Sequence, residues 1–559
     1  MEATGNDQKA GGTSTFAPLR ETAFRTIWSA SLLANFGQLI LGVAAAWEMT
    51  RLAPKSPEMV ALVQSALMLP IMLVSVPAGA VADMFDRRKI AMAGLGFAMV
   101  SSATLTTLAF AGLVTPWLLL GFCALIGGGV ALYSPAWQSS VSEQVPPEQL
   151  PAAVALASIS YNVARSFGPA VGGAIVLAAG AKVAFGLNAI FYLPLFLAFL
   201  AWRRKHIPSR LPPERIDRAI VSGARYALHS SAVRNIVIRS LAFGGAGATA
   251  SALSPLVAKN LLHGDASTYG LLLGSSGVGA VVGAMVIGRI RDSLPAERLI
   301  GLCAVVTAVA IMVIGVSSNI ALTCAAMWLV GAANILSISM LNVSVQTAAP
   351  RWVTARALSL FSSSLTGGIA LGAWGWGTVA THWGVSIAFL ASGLALALTP
   401  LLGLWFPVRQ TELSAVELVP IEGEPAVKMG ITLRSGPIAI EVEYIVDPDQ
   451  ARQFYNVMRQ MQRARQRRGG FDWTLSRDIG DPSLWTERYR CSTWGDYLRQ
   501  RGRYTQAERD LQVEADSFHL GEVGLAGNRV RRMLERPFGS VRWRADSPDP
   551  QRDDMYFAP

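Results

Sequence analysis

Long apolar runs alternate with short polar breaks over the first three-quarters of the chain, and the pattern changes abruptly after about residue 409. A hydrocarbon core of about 30 Å takes about 20 helical residues. Twelve runs reach that length, approximately 26–49, 58–82, 90–112, 116–142, 151–179, 183–202, 234–258, 268–290, 298–317, 320–348, 355–381 and 384–406. They predict twelve transmembrane helices. The longest break, Arg203 to Arg234, carries Pro208, Pro212 and Pro213 and divides them six and six. A weak repeat at an offset of 204 agrees, aligning Val141, Pro146, Leu156 and Gly168 with Val345, Pro350, Leu360 and Gly372. Two such halves suit alternating access, with a site at the midplane between them.

Beyond a linker rich in Pro and Gly, 410–437, Ala439 to Val446 alternates as a strand does, and Asp449 to Arg468 carries Phe454, Val457 and Met461 on one helical face. Strands are expected at Phe471 to Ile479 and Leu484 to Arg490, then a helix capped by Ser492 or Thr493 and running to about Phe518. A last strand is expected at Val530 to Leu534. The order βαββαβ is ferredoxin-like. The expected organisation is therefore an N-terminal segment 1–20, half-bundles 21–202 and 234–409 joined by a central loop 203–233, the linker, an α+β domain 438–541 and a disordered end 542–559.

Charge sharpens this division. Residues 1–412 hold 26 Lys+Arg and 15 Asp+Glu, whereas 413–559 hold 22 of each, so the whole net charge of +11 belongs to the helical body. Its cations fall in loops. With both ends cytoplasmic, the inner loops carry sixteen Lys and Arg, and the outer ones only Arg51, Lys55, Lys182 and Lys259. That asymmetry fixes the predicted orientation and accounts for the basic balance without a nucleic-acid partner. Four cysteines with no CxxC spacing predict neither a disulfide framework nor a metal site. The polar Met1 to Thr15 is unlike a cleaved signal peptide. No GxxxxGK[ST] run occurs, so no phosphate cradle and no cofactor is expected.

Two motifs carry more information. After the second run comes Gly79-Ala80-Val81-Ala82-Asp83-Met84-Phe85-Asp86-Arg87-Arg88-Lys89, an acid at a helix end with three cations behind it. Glycine permits close helix approach, and a carboxylate there accepts charge-assisted hydrogen bonds, so the loop suits a latch. In the fifth run, Asn162 to Gly173 contains Gly168-Pro169-Ala170-Val171-Gly172-Gly173, where Pro169 removes a backbone donor and the glycines bare the backbone.

The first motif resembles the signature loop between helices two and three of the major facilitator superfamily, although Met84 replaces a usual basic residue and Asp86 a usual glycine. The second resembles the Gly-Pro-x-x-Gly-Gly motif of its exporter branches. Together with twelve spans, they resemble the enterobactin-exporter-like, transmembrane secretion effector branch. The resemblance implies export of a small organic molecule, such as a siderophore or drug-like compound, from a bacterial inner membrane by proton antiport. It implies Gly79, Asp83, Arg87 and Arg88 as the gating loop and Gly168, Pro169, Gly172 and Gly173 as a hinge; Asp83 is expected to bridge to Arg356 or to the N-terminus of the eleventh helix.

Within the runs, charges are costly unless they face a cavity or a partner. Arg165, Arg239 and Glu48 are therefore pathway candidates, Glu48 as a titrating or cation-binding group, with polar Asn35, Gln38, Gln138, Asn162 and Asn342 alongside; Asn188 and Asn334 line a cavity or bond between helices. Phe471-Asp472-Trp473, Trp485-Thr486-Glu487 and Ser492 to Arg503 in the tail resemble antibiotic-biosynthesis-monooxygenase domains, dimeric α+β barrels. Tyr497 stands where fused relatives tend to have histidine, His519 is the tail's only histidine, and the three tryptophans suit a core. A regulatory or homodimerising module is expected. The alternatives are a membrane-anchored oxygenase and a metabolite importer of the same superfamily.

Overall fold

Ten helices are long and apolar enough to cross a membrane in the computed structural model, which describes residues 16–84, 86–146, 149–202, 225–226, 228–350, 353–408, 419, 425, 427–520 and 530–535. The first four are α1 (Thr22–Leu52), α2 (Pro57–Met84), α3 (Arg87–Phe110) and α4 (Pro116–Ser140). Their starts follow from capping chemistry. Asp86 accepts from the Arg88 N–H at 3.0 Å, so the acid that departs from the loop's usual glycine begins α3. Thr115 caps α4 with Pro116 at its first position, where the missing donor costs nothing.

Two places in the body depart from single straight helices. Runs 151–179 and 183–202 follow one another in α5 (Leu150–Ala201), 52 residues that form two helices meeting at a kink. At 1.5 Å per residue it would extend about 78 Å, far beyond one bilayer core. Gly180 interrupts it with φ 82° and ψ 165°, a conformation open to a residue without Cβ. The run 234–258 is the second. Its helix α6 (Ser231–Ala246) is followed by short turns at Thr249–Ala252 and Ser254–Leu256 and a π-helical turn at Val257–Leu261. Gly244, Gly245 and Gly247 and then Pro255 remove helix propensity there.

The body continues with α7 (Ala266–Ser293), α8 (Ala296–Val316), α9 (Ile320–Ala348), α10 (Thr354–Trp383) and α11 (Val385–Leu398), the last extended through Thr399–Leu401 and Leu402–Trp405. Its core runs along the helix seams, with Phe24, Leu41, Met49, Leu95, Phe185, Tyr192 and Phe389 fully buried. The chain divides into two units. One contains Met1–Asp217, Ile236–Asn342 and Ser359–Val408; the other contains Arg218–Asn235, Val343–Leu358 and Arg409–Pro559.

The second unit is built on a four-stranded antiparallel sheet of order β2-β3-β1-β4, with β1 (Ile438–Ile445), β2 (Phe471–Arg477), β3 (Leu484–Cys491) and β4 (Val530–Leu534). Helix α12 (Ala451–Arg467) places Phe454, Val457, Met458 and Met461 in the core against Ile440, Val442 and Tyr444 of β1 and Trp485 and Tyr489 of β3. The single helix expected up to Phe518 is two, α13 (Trp494–Arg501) and α14 (Gln506–Asp516). Gly502 ends one, and Thr505 with Glu508 starts the next through a reciprocal capping box. The expected disordered end, 542–559, lies outside the described residues.

Candidate functional site

Helices α1 and α5 run side by side, and their register locates the centre of the bundle. Trp28 Nε1 donates to the Leu156 carbonyl at 2.7 Å, Asn35 Nδ2 to Ser160 Oγ at 3.4 Å, and Ser31 and Ser160 hydroxyls lie 3.5 Å apart. Farther on, a Cβ at Gly168 would stand 3.0 Å from Leu39 Cβ, and one at Gly172 3.1 Å from Ile40 Cα. Leu156, Ser160, Gly168 and Gly172 thus form one row at spacings of four that faces α1.

The adjacent row contains Arg165, Pro169 and Gly173, and it leads to the second half. A Cβ on Gly173 would lie 2.5 Å from Gly270 Cα in α7, so the two backbones touch there without side chains between them. Gly274 of α7 approaches Ala170 Cβ in the same way, at 3.0 Å. Arg165 is half-buried and has no hydrogen-bond or ion-pair partner among the described residues. Gln38 is half-buried, and the side chain of Asn162 is outside the described set.

Among the described residues, side-chain contacts between the halves include several toward the end predicted to face outward. Lys259 Nζ donates to the Thr50 carbonyl at 2.9 Å, and Trp47 stacks on Tyr269 with ring centroids 6.2 Å apart. The Glu58 N–H donates to Thr381 Oγ1 at 3.1 Å, and deeper in, Ser65 Oγ donates to the Ala370 carbonyl at 2.6 Å. Lys259, Trp47 and Tyr269 are absent from the sequence-derived candidates. Lys259 counts there only as an outer-loop cation, although Pro255 close before it marks a broken helix end. Beside this seam, Ala170, Ala174, Leu177, Gly270, Val278 and Trp328 help line an apolar groove of about 720 Å³.

The remaining candidates have local partners or lie apart. Glu48 is bound by Arg51, three residues on. Gln138 is exposed and donates to Ser134 Oγ at 3.2 Å. Asn188 is buried and donates to Ser102 Oγ at 3.0 Å; Asn334 and Asn342 are half-buried in α9. Arg239 is buried and pairs with Glu297 at the start of α8, whose other oxygen accepts from the Val408 N–H at 2.8 Å. In the signature loop, Arg87 donates to the Ser139 carbonyl at 2.8 Å and to Glu143 at 3.1 Å, while Arg88 donates to the Leu200 carbonyl at 2.5 Å. These cations hold the first half together at the ends of α4 and α5. Gly79 and Asp83 lie in the last two turns of α2, and Arg356 in the first turn of α10.

In the second unit several of the residues that carry the resemblance have partners within the domain. Buried Glu487 receives Arg465 through two bonds, 3.0 and 3.2 Å, and Trp473 Nε1 at 2.9 Å. Arg465 also donates to Gln512, which in turn donates to Tyr444 OH at 3.2 Å. Buried Tyr497 accepts from Arg532 Nε at 2.6 Å. His519 Nδ1 accepts from the Ile445 N–H at 2.9 Å, which makes the lone histidine a sheet-edge bond. Burial pushes the Cys491 thiol up to about 12.

A long-helix body with a seam between two halves defines a transporter of the major facilitator type. Solved structures share this fold: the POT family transporter PepTSo, at a TM-score of 0.58 and 12% identity, covers 69% of this chain and 97% of its own. A bacterial homolog of the human lysosomal transporter Spinster, solved inward-facing and unoccupied, gives 0.55 and 14% over 70% and 96%. The transmembrane secretion effector family matches residues 13–538, and the chain belongs to it. It is a multi-pass membrane transporter, not an enzyme. The Staphyloferrin A transporter of Staphylococcus aureus is 26% identical over 227 residues, 40% of this chain and a little over half, 56%, of that relative. The Enterobactin exporter EntS of Citrobacter koseri is 25% identical over 377 residues, 63% of this chain and 83% of that relative.

Proposed function

We propose that the chain exports a small organic molecule of the siderophore or drug-like class across a bacterial inner membrane, by alternating access driven by proton antiport. The contact of Gly173 with Gly270 carries this proposal. It supports Gly173, at the end of the Gly-Pro-x-x-Gly-Gly segment, as a point at which the two halves meet and part. The relatives named for a siderophore transporter and an enterobactin exporter support the substrate class.

Twelve crossings are part of the proposal. The break at Gly180 turns α5 into two spans, and 231–261 makes one interrupted span, which with the nine other long helices gives twelve; an even number keeps both ends on one side, and the excess of Lys and Arg in the inner loops supports the cytoplasmic side. Asp83 is the gating acid, so Asp83→Asn is expected to slow transport at unchanged membrane abundance. Glu48 is the proton-linked group, since it is the one acid lying more than a turn inside its helix. The sheet order β2-β3-β1-β4 supports a ferredoxin-like tail acting as a regulatory or dimerising module.

Everted membrane vesicles test the direction. With an imposed proton gradient, they should accumulate a siderophore-class substrate only when the protein is present. Uptake by intact cells without uptake by everted vesicles would make the chain an importer.

A further inference from the structure

Every acid in the membrane-spanning helices lies close to a helix end. Glu58 and Glu297 are second residues of α2 and α8, Asp83 and Asp292 are next to last in α2 and α7, and Glu48 is four residues from the end of α1. Of the charges farther from a helix end, Arg239 in the middle of α6 pairs with Glu297, which leaves Arg165. It stands fifteen residues from Leu150 and fifteen from the break at Gly180, about 22 Å from either end. A guanidinium at that depth is costly unless a cavity or a counter-charge receives it.

Among the described residues no acid pairs with Arg165. Arg165 lies on the α5 row next to the one that faces α1, on the side where Gly173 meets α7, so it belongs to the sector between α1 and the second half. By the α1–α5 register it is level with about Phe36 to Gln38, roughly 15 Å along the axis from Glu48, which Arg51 already binds. Helix α7 contains no acid before Asp292, and α4, α9 and α10 contain none. The half-buried Arg165 accordingly has no partner among the described residues.

We infer that the transported molecule itself supplies the charge: the substrate carries a carboxylate or similar planar oxyanion, and Arg165 binds it between the two halves. This rests on the transport function proposed above and names its substrate class. Guanidinium suits the task because it stays protonated at any working pH and offers a planar fork that matches two oxygens at once. Ammonium would supply the charge without the fork. Small residues toward Gly173 leave the two backbones in contact above the cation, so a bound anion would be shielded from that side.

Binding to the purified full-length protein tests this, with benzoate, phthalate and citrate as probes and their neutral amides as controls. At least one acid should bind more tightly than its amide, and Arg165→Gln should weaken that acid by about thirtyfold or more, as expected for losing one partner of a desolvated charge pair. Arg165→Lys should retain part of the preference. Phenylglyoxal labelling of the wild-type protein, mapped by mass spectrometry, needs no variant: the preferred acid should protect Arg165. An acid preference that survives Arg165→Gln, no acid preference in the wild type, or no protection of Arg165 would each overturn the assignment. Transport in the importing direction would overturn the export proposal alone, because binding is measured without a gradient.

Discussion

Lys259 Nζ reaches 2.9 Å to the Thr50 carbonyl, so a cation from one half caps the last turn of α1 in the other. A helix C-terminus carries unsatisfied carbonyls and a partial negative charge, and a cation there is worth about 0.3–1 kcal/mol, up to ~2 when partly buried. The bond exists only while this end of the bundle is closed. Lys259→Met is therefore expected to shift the population toward a state open at this end by roughly twofold to thirtyfold. Spin labels at Lys55 and His263, one on each half, would report it as a longer inter-label distance. An unchanged distance distribution would mean that Lys259 does not hold the closure.

Arg239 has a different task. It is 4% exposed and paired with Glu297, which also accepts from the Val408 N–H, so the pair ties α6 to α8 and to the end of the body. Arg239→Leu leaves the carboxylate without its cation and should lower thermal stability. The loss should fall at or below the lower end of the ~3–5 kcal/mol typical of broken buried pairs, because Glu297 is one-third exposed. The double variant Arg239→Leu, Glu297→Leu should recover part of that loss. If the double variant melts no higher than the single, the pair is not the source of the stability.

Much of this was legible in the sequence because membrane spans announce themselves by length. The runs 58–82 and 320–348 lie within one or two residues of α2 and α9. The break at Gly180 falls between the runs 151–179 and 183–202, and its positive φ makes the turn. What hydropathy does not show is the interruption inside 234–258, where the apolar sequence is continuous. Contacts across the halves are hidden for a related reason: Thr50 contributes a carbonyl and Gly270 a bare Cα, so neither carries a side-chain signature. In the tail, alternation placed β1 correctly, whereas the break between α13 and α14 depends on a capping box that single-residue patterning passes over.

Stability of the second unit should decline at alkaline pH. Burial raises the Cys491 thiol to about 12 and raises the hydroxyls of Tyr489 and Tyr444, which stay protonated in the folded state where an unfolded chain would ionise. An acid with a raised folded value contributes its stability fully below the unfolded value, about 8.5 for Cys and 10 for Tyr, and loses it as pH climbs toward the folded one. The unfolding midpoint of this unit should therefore be flat to about pH 8 and fall from there to about pH 12. Cys491 should resist alkylation at pH 8 until the unit unfolds. Rapid labelling of the native protein at that pH would show that the thiol is not held as buried and neutral.

The tightest junction of the seam makes the sharpest demand. At Gly173 an added Cβ would press on backbone, the Gly270 Cα at 2.5 Å, which cannot rotate aside, whereas at Gly168 it would meet Leu39 Cβ at 3.0 Å, a milder overlap with a side chain. Overpacking of this kind costs about 1–3 kcal/mol, enough to disfavour the closed state by roughly fivefold to 150-fold. Gly173→Ala should thus trap the halves apart at this end and remove most transport, with membrane abundance and thermal stability near wild type. Gly168→Ala should retain substantially more activity. The pair separates an inter-half role from ordinary helix packing within the first half, since the α1 contact at Gly168 is not remade during a rocking motion. Equal transport by both variants would mean that the Gly173–Gly270 contact is not a working surface of the cycle.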